Sequence, residues 1–479
     1  MNQIKINQDN TRTEINVSDN VVEKIYQEVK DYDTHDPSSL SGLIEINHGY
    51  LDAVSFLNEK YPRFRCRTLG DPYVRFEDPL VESIMIQRML NFSNNPIGDG
   101  VGLTVQNMAD CPGAYYNFDL NSKSITKFNE LRYFTKFTDI GGGCFRNCVD
   151  LKEIDFSNII KVSGSSGGLC VANTGLEVVD LPICTTLTGS NAFNGNKHLT
   201  TFNAPLATGT LGSGFFCNCN VLTDVNIPNI VAISTYSFDG CSSLQTLDIP
   251  KVSGYIPDYC FRNCRNLTNL TIGEITRLYV FAFQNCSSLT SLDLSNCTEI
   301  RTASLSGCTS LSDLGDTTKI ITMENDSVFV NCISLTGTLD LSNTTISNTL
   351  TAMFYGCSGL TKIKLGHIHA IGGRWHSFDN GRKAFYGCTS LVTLDIQQLD
   401  YIGFDNCAFG NTGAFRNFII RNTESVPNID SELYDNNPDC QISMNHFGGT
   451  NVKIYVTDSL LDTYKNHHNL QDIKNYFIQ

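Results

Sequence analysis

Two groups of residues in this chain have types and spacings that could do chemistry. The first is the stretch GHIHAIGGRWHSFDNGRK, which gathers His367, His369, Arg374, Trp375, His376 and Arg382 and holds the chain's one tryptophan. Imidazoles two residues apart share one face of an extended strand, and two such rings are half of a tetrahedral metal site. No third ligand stands at metal spacing beside them. The stretch therefore reads in one of two ways. It is a recognition loop, since exposed Trp and Arg are enriched where interfaces concentrate their energy, or a bulged turn whose Trp375 fills the core. The second group is a spaced series of carboxylates, Asp155, Asp180, Asp248, Asp293, Asp340 and Asp395. It supplies no reaction by itself; it reads as a solvated polar position or as an acidic recognition stripe.

Other chemistry finds little footing. Nineteen cysteines raise the question of metal or disulfide chemistry. Cys144 and Cys148 are four apart and Cys217 and Cys219 two apart, yet no paired Cys-x-x-Cys module of the kind used by zinc ribbons and dithiol redox sites occurs. The DYDTHD cluster of Asp31, Asp33, His35 and Asp36 attracts a cation or sits at a solvated helix end. IGDGVG at 97 to 102 lacks phosphate-loop spacing, and IGGGCF and GSSGGL read as turns. There is no HExxH and no Walker loop, so no catalytic residue, cofactor or metal is assigned.

The elements that carry these residues repeat. Aligned on a first aromatic or its substitute, the units begin at Phe145, Cys170, Phe193, Phe216, Phe238, Phe261, Phe283, Leu305, Phe329, Phe354, Phe385 and Phe409. Three residues on stands a slot filled by Cys in nine units, by Asn173 and Asn196 in two and by Thr412 in the last; three further comes Leu, or Phe415 at the end. Alternating pairs such as Val225 and Ile227, or Leu394 and Ile396, then point two apolar side chains inward and one residue outward. That outward position is the carboxylate series, continued by Asn203, Asn226, Thr271, Gly315, Lys364 and Ile419 and flanked by Thr200, Thr201, Thr223, Thr246, Thr268, Thr290 and Ser291. Steps of about 22 to 25 residues, with one longer, are solenoid lengths, and a single unit cannot bury its apolar face alone. The residue before each slot cysteine is Asn or Gly, which places a left-handed turn there. The slot cysteines read as buried, reduced thiols.

The segments FDGCSSLQTLDIP, FRNCRNLTNLTI, FQNCSSLTSLDLSNC and FYGCTSLVTLDI resemble the BspA-like leucine-rich-repeat family. The resemblance covers about residues 126 to 425, and IYVTDSLLDTYKNHHNLQDI is similar to the strand-then-helix cap that follows such arrays. It implies a binding scaffold rather than an enzyme.

The expected fold is an α+β N-terminal domain (1–125), a β-rich leucine-rich-repeat solenoid of about twelve repeats (126–425) and a C-terminal strand-helix cap (426–479). In the first domain, Ser18 and Asp19 cap a helix to about Asp31, and a second helix spans about Leu80 to Leu90. Residues 126–140 read as a degenerate first unit. With 34 basic and 49 acidic residues the formal charge is -15, which disfavours nucleic acid and anionic membranes as partners. The first 30 residues lack the apolar centre of a secretory signal, which points to a chain first used inside a cell, the alternative being an export signal already removed.

These readings lead to a non-enzymatic binding protein. In the preferred version it is a bacteriophage virion component, made in the host cytoplasm, whose array binds a host surface glycan or protein while residues 1–125 attach to other virion proteins. It is open to oligomerisation and is not inserted in a membrane. The alternatives are a bacterial or protist cell-surface adhesin and an intracellular scaffold; an enzyme would need its chemistry in the first 125 residues.

Overall fold

A computed structural model describes residues 2–8, 11–17, 73–90, 97, 102–113, 118–164, 168–324, 327–371, 383–402, 408–422, 424–427, 452–467 and 474–479. The chain divides into two compact units, Met1–Pro112 with Lys127–Lys136, and Gly113–Thr126 with Phe137–Gln479. The helix expected to follow Ser18 and the DYDTHD cluster lie outside the described residues.

In the first unit, Asn2–Gln8 and Thr11–Val17 pair as an antiparallel hairpin. The expected second helix is present as Pro79–Leu90. Asp78 starts it by accepting the Leu80 N–H at 2.8 Å, and Pro79 takes the first helical position, where a missing N–H costs nothing. Val81, Met85 and Met89, four apart, form the buried stripe. The rings of Phe76 and Phe134 flank Phe128 at 6.2 and 6.0 Å.

Glu130 in this unit is 4% exposed; one carboxylate oxygen accepts the Glu77 N–H at 2.9 Å and the other has no partner. Burial lifts its carboxyl from the ordinary 4.5 to about 7. The folded state therefore holds a proton that the unfolded chain releases, so stability falls as pH rises from about 4.5 to 7 and is level above that. The expected loss is up to about 3 kcal/mol. Urea melts of the first unit's signal against pH check this; a Glu130→Gln protein with the same pH slope as the parent would rule it out.

The second unit is a solenoid of about 13 turns, and every strand pairing within it is parallel. Most coils offer a short front strand and a short back strand. Val178–Asp180, Thr201–Asn203 and Asp224–Asn226 run side by side at the front, followed by Thr246–Ile249 beside Asn269–Ile272. At the back, Gly254–Ile256, Ile275–Leu278, Glu299–Ile300 and Thr322–Met323 form a series. In three later coils front and back merge into long strands, Gly337–Leu350, Leu360–Ile371 and Thr393–Ile402, with register shifts between Leu341 and Thr345 and between Ile346 and Thr349. Extra residues there are absorbed as bulges instead of a corner.

The core is a column of rings. Phe238, Phe261 and Phe283 are fully buried and stack at 5.4 and 5.1 Å, and Phe354, Phe385 and Phe409 do so at 5.4 and 5.1 Å. Beneath each ring the slot thiol donates to the carbonyl of the preceding coil's aromatic: Cys264 to Phe238 at 3.1 Å, Cys286 to Phe261 at 3.0 Å, Cys388 to Phe354 at 3.0 Å. The slot needs a small donor that tolerates burial, which is why Cys recurs. The sixteen described cysteines are all free, and only Cys217 among them is not buried. Burial pushes the thiols up, to about 11 at Cys148 and about 12 at Cys219 and Cys388, so they are poor nucleophiles.

The turn before the slot is left-handed throughout, from Asn147 at φ +58° to Gly387 at +78°. One alignment is corrected. Val171, not Cys170, occupies the aromatic position, because its N–H pairs with Ala192 as Phe193 pairs with Phe215. Asn173 is therefore the turn residue, exposed at φ +55°, and Thr174 fills the slot, 3% exposed and bonded to the Asn196 side chain at 2.9 Å. The coil is one residue short after the slot, and Gly175 makes this possible: a Cβ there would stand 2.5 Å from the Val149 carbonyl oxygen. Asn196 fills its slot as expected, with its amide donating to the Val171 carbonyl at 2.8 Å.

The cap closes the far end. Lys453–Val456 adds to the edge of Asn417–Ile420, the helix Leu461–Asn466 follows, and Phe477–Ile478 pairs with the strand before it. Tyr464 is buried with its ring 5.2 Å from Phe477.

Candidate binding surface

The front strands place their outward residues in two rows. Register sets Asp180 beside Asn203 and Asn203 beside Asn226, and Asp248 beside Thr271; two residues earlier run Val178, Thr201 and Asp224, then Thr246 and Asn269. Val179, Phe202, Val225 and Leu247 between the rows turn inward and are buried. The two rows line a trough of about 640 Å³, from Val178 to Thr271.

Within it the side chains form a directed ladder. Asn226 donates its amide to Asn203 at 2.7 Å, and Asn203 donates to Asp180 at 2.6 Å. A carboxylate only accepts, so Asp180 fixes the orientation of both amides. The carboxylates of Asp224 and Asp248 have no hydrogen-bond or ion-pair partner among the described residues. The hydroxyls of Thr200, Thr223 and Thr268 are committed to the scaffold, donating to the carbonyls of Glu177, Thr200 and Gln245 at 3.0, 3.2 and 3.0 Å. Asp224 escaped the sequence reading, which followed one outward position per strand; the same alternation extended by two residues finds it.

The rest of the carboxylate column behaves differently. Asp155 and Asp293 each accept a backbone N–H two residues on, from Ser157 and Ser295, both at 2.9 Å. Hydrogen bonds from Ser295 hold the Asp293 carboxyl below the usual range. Asp340 meets Lys364 at 2.6 Å. Partial burial raises the Asp340 carboxyl, and its hydrogen bonds with Lys364 and Ser342 outweigh that and hold it low. Asp395 is 3% exposed and gripped by Arg421 at 2.6 and 3.0 Å. In these last coils the chain's own cations neutralise Asp340 and Asp395, whereas the Asp224 and Asp248 carboxylates in the trough meet none among the described residues.

His367 and His369 do share a strand face, and both turn to Asp400 on the next strand. His367 Nε2 lies 2.9 Å from either carboxylate oxygen, and His369 Nδ1 is 3.5 Å from one. Burial raises the Asp400 carboxyl, and the His367 hydrogen bond and its other contacts bring it below the ordinary value. Among the described residues no group of three His, Cys, Asp or Glu is arranged to hold a metal. Arg374, Trp375 and His376 lie outside the described residues. No helix among the described residues is long and apolar enough to cross a membrane.

Parallel coils with a buried Leu and Phe core, a Cys or Asn slot and a variable front row define a leucine-rich-repeat solenoid, a class built as a binding scaffold. The family model described as BspA type leucine-rich repeat region matches residues 121–245, 281–380, 320–441 and 377–477, and the chain belongs to that family. A search of curated proteins gives no match. Among solved structures, the chain is similar to a leucine-rich-repeat protein of Bacteroides ovatus, at 17% identity over 68% of this chain and 76% of the other, TM-score 0.41. A leucine-rich cell surface protein of Faecalibacterium prausnitzii gives 19% identity over 68% and 85%, TM-score 0.38. The pneumococcal vaccine antigen PcpA gives 14% over 72% and 75%, TM-score 0.33.

Proposed function

We propose that the protein is a non-enzymatic, adhesin-like recognition protein whose trough between Val178 and Thr271 binds a protein surface rich in hydrogen-bond donors and basic groups. The carrying observation is the carboxylates of Asp224 and Asp248, unpaired among the described residues on the front strands beside an amide ladder that ends on Asp180. Acceptors fixed in register give specificity by position, and their uncompensated charge steers cationic partners. The separate compactness of Met1–Pro112 with Lys127–Lys136 supports an attachment role for the first unit. The carrier it serves is a bacteriophage virion or a cell envelope, and immunogold labelling of the native source separates the two.

The test is the triple variant Asp180→Asn, Asp224→Asn and Asp248→Asn, read on an array of basic peptides with the full chain as analyte. Exposed ion pairs contribute about 0.2–1 kcal/mol each, so binding is expected to weaken by roughly three- to a hundredfold with an unchanged melting temperature. Added salt should weaken the parent and leave the variant nearly unaffected. Equal binding by both proteins would remove the trough from consideration.

A further inference from the structure

A turn on another side of the same coils places bulky side chains in left-handed backbone. The residue two before each inward aromatic is left-handed in coil after coil, and Gly214 and Ala303 serve there at φ +61° and +50°. In three successive coils between them the position holds Tyr236, Tyr259 and Phe281, at +60°, +57° and +56°. Bulky side chains rarely adopt this conformation, and such outliers gather at functional sites.

The three rings stack, at 4.6 Å from Tyr236 to Tyr259 and 5.0 Å from Tyr259 to Phe281. A second stack, Tyr255 on Tyr279 at 5.2 Å, is joined to the first through the chain, because Tyr279 and Phe281 flank Val280. Guanidinium groups fix both stacks. Arg262 lies 4.6 Å from the Tyr259 ring centre and is held by Asp239 at 2.9 and 2.7 Å; Arg301 lies 4.2 Å from that of Tyr279 with Glu299 at 2.7 Å.

Among the described residues the preceding coil stacks no ring on Tyr236 or on Tyr255. Tyr236 follows Gly214 in its column, and Tyr255 follows Ala232, as the inward neighbours Ile233 and Ile256 show. The two rings are 37% and 54% exposed. Arg262 is neutralised by Asp239, and Arg301 together with Arg277, which stands beside Tyr255, by Glu299 and Glu324, so an anionic ligand would find no spare cation. From Leu206 to Ile321 the exposed large apolar side chains are Leu206, Val231, Tyr236, Tyr255 and Ile321, a sparse set for a protein interface. What remains is a rigid pair of electron-rich ring faces bordered by phenol hydroxyls, which suits polarised C–H groups carried on a hydroxyl-bearing ring.

We propose that this ridge is a second binding site, for a neutral glycan that lays the C–H face of one pyranose ring on Tyr236 and of another on Tyr255. It goes beyond the trough reading and does not depend on it.

The probe is saturation-transfer difference NMR of the full chain with neutral hexasaccharides of glucose, mannose, galactose and N-acetylglucosamine. At least one should receive saturation, and the double variant Tyr236→Gly and Tyr255→Ala should weaken its binding by about tenfold or more. Gly and Ala occupy these two positions in the preceding coils, so the variant should melt at the parent's temperature. The trough triple variant should bind the same sugar unchanged. No transfer from any hexasaccharide would overturn the site, as would unaltered binding by the ridge variant or loss of binding in the trough variant. A clear drop in melting temperature would show the rings to be structural and overturn it too, and so would capture of a protein partner by the ridge with no glycan bound.

Discussion

Truncation before Val426 is expected to make the protein aggregate. Phe409, Phe415 and Phe418 are at most 1% exposed and pack together at 5.1 to 6.4 Å. Cap residues Ile454 and Val456 stand in register with Phe418 and Ile420. Without them, Asn417–Ile420 becomes an open edge whose N–H and C=O groups and apolar side chains offer a template to another copy. Uncovering three Phe side chains forfeits about 2 kcal/mol each, and a terminal coil without a polar cap cannot stay soluble. Light scattering after size exclusion reads the outcome. A truncated chain that elutes as the parent does and melts at the same temperature would show that the cap is dispensable.

Phe261→Ala is expected to cost about 3–5 kcal/mol. The ring is fully buried between Phe238 and Phe283, and both neighbours are fixed by their own coils, so the void cannot collapse. Leu305 holds the same column position, fully buried. Phe261→Leu should therefore be tolerated at about 1.5 kcal/mol or less, as a hydrophobic swap with repacking. Since each coil touches only its neighbours, loss of amide protection in hydrogen exchange should centre on coils 238 to 283 and fade on either side. Uniform loss over the whole array, or no loss, would contradict a nearest-neighbour core.

The two variants probe what was legible before any coordinates. A period near 23 residues announced the solenoid because each coil solves the same burial problem, and the Phe, slot and Leu positions carry that solution in their residue types. The left-handed turn was readable for the same reason, since Asn or Gly before the slot is a local requirement. The slip at Cys170 shows the limit: two adjacent small residues fit the pattern in either frame, and only the pairing of Val171 with Ala192 chooses between them. The outward column was likewise correct in register, from Asp180 beside Asn203 to Lys364 beside Asp395. Its chemistry was not legible, because whether a carboxylate is free depends on partners 24 to 26 residues away, as with Lys364 for Asp340 and Arg421 for Asp395. The aromatic ridge was missed for a related reason. Tyr236, Tyr259 and Phe281 sit in a turn whose spacing looks incidental until the coils stack.

The sequence by itself determined the coil: its length, its inward residues, its thiol slot and its turn. These follow from local conformational preference and from periodic burial, both of which are written at short range. The tertiary structure decided which outward groups remain unpaired, where front and back strands merge, and which rings meet. Those outcomes depend on neighbours one coil away, brought within hydrogen-bonding or stacking distance only when the repeats are laid in register.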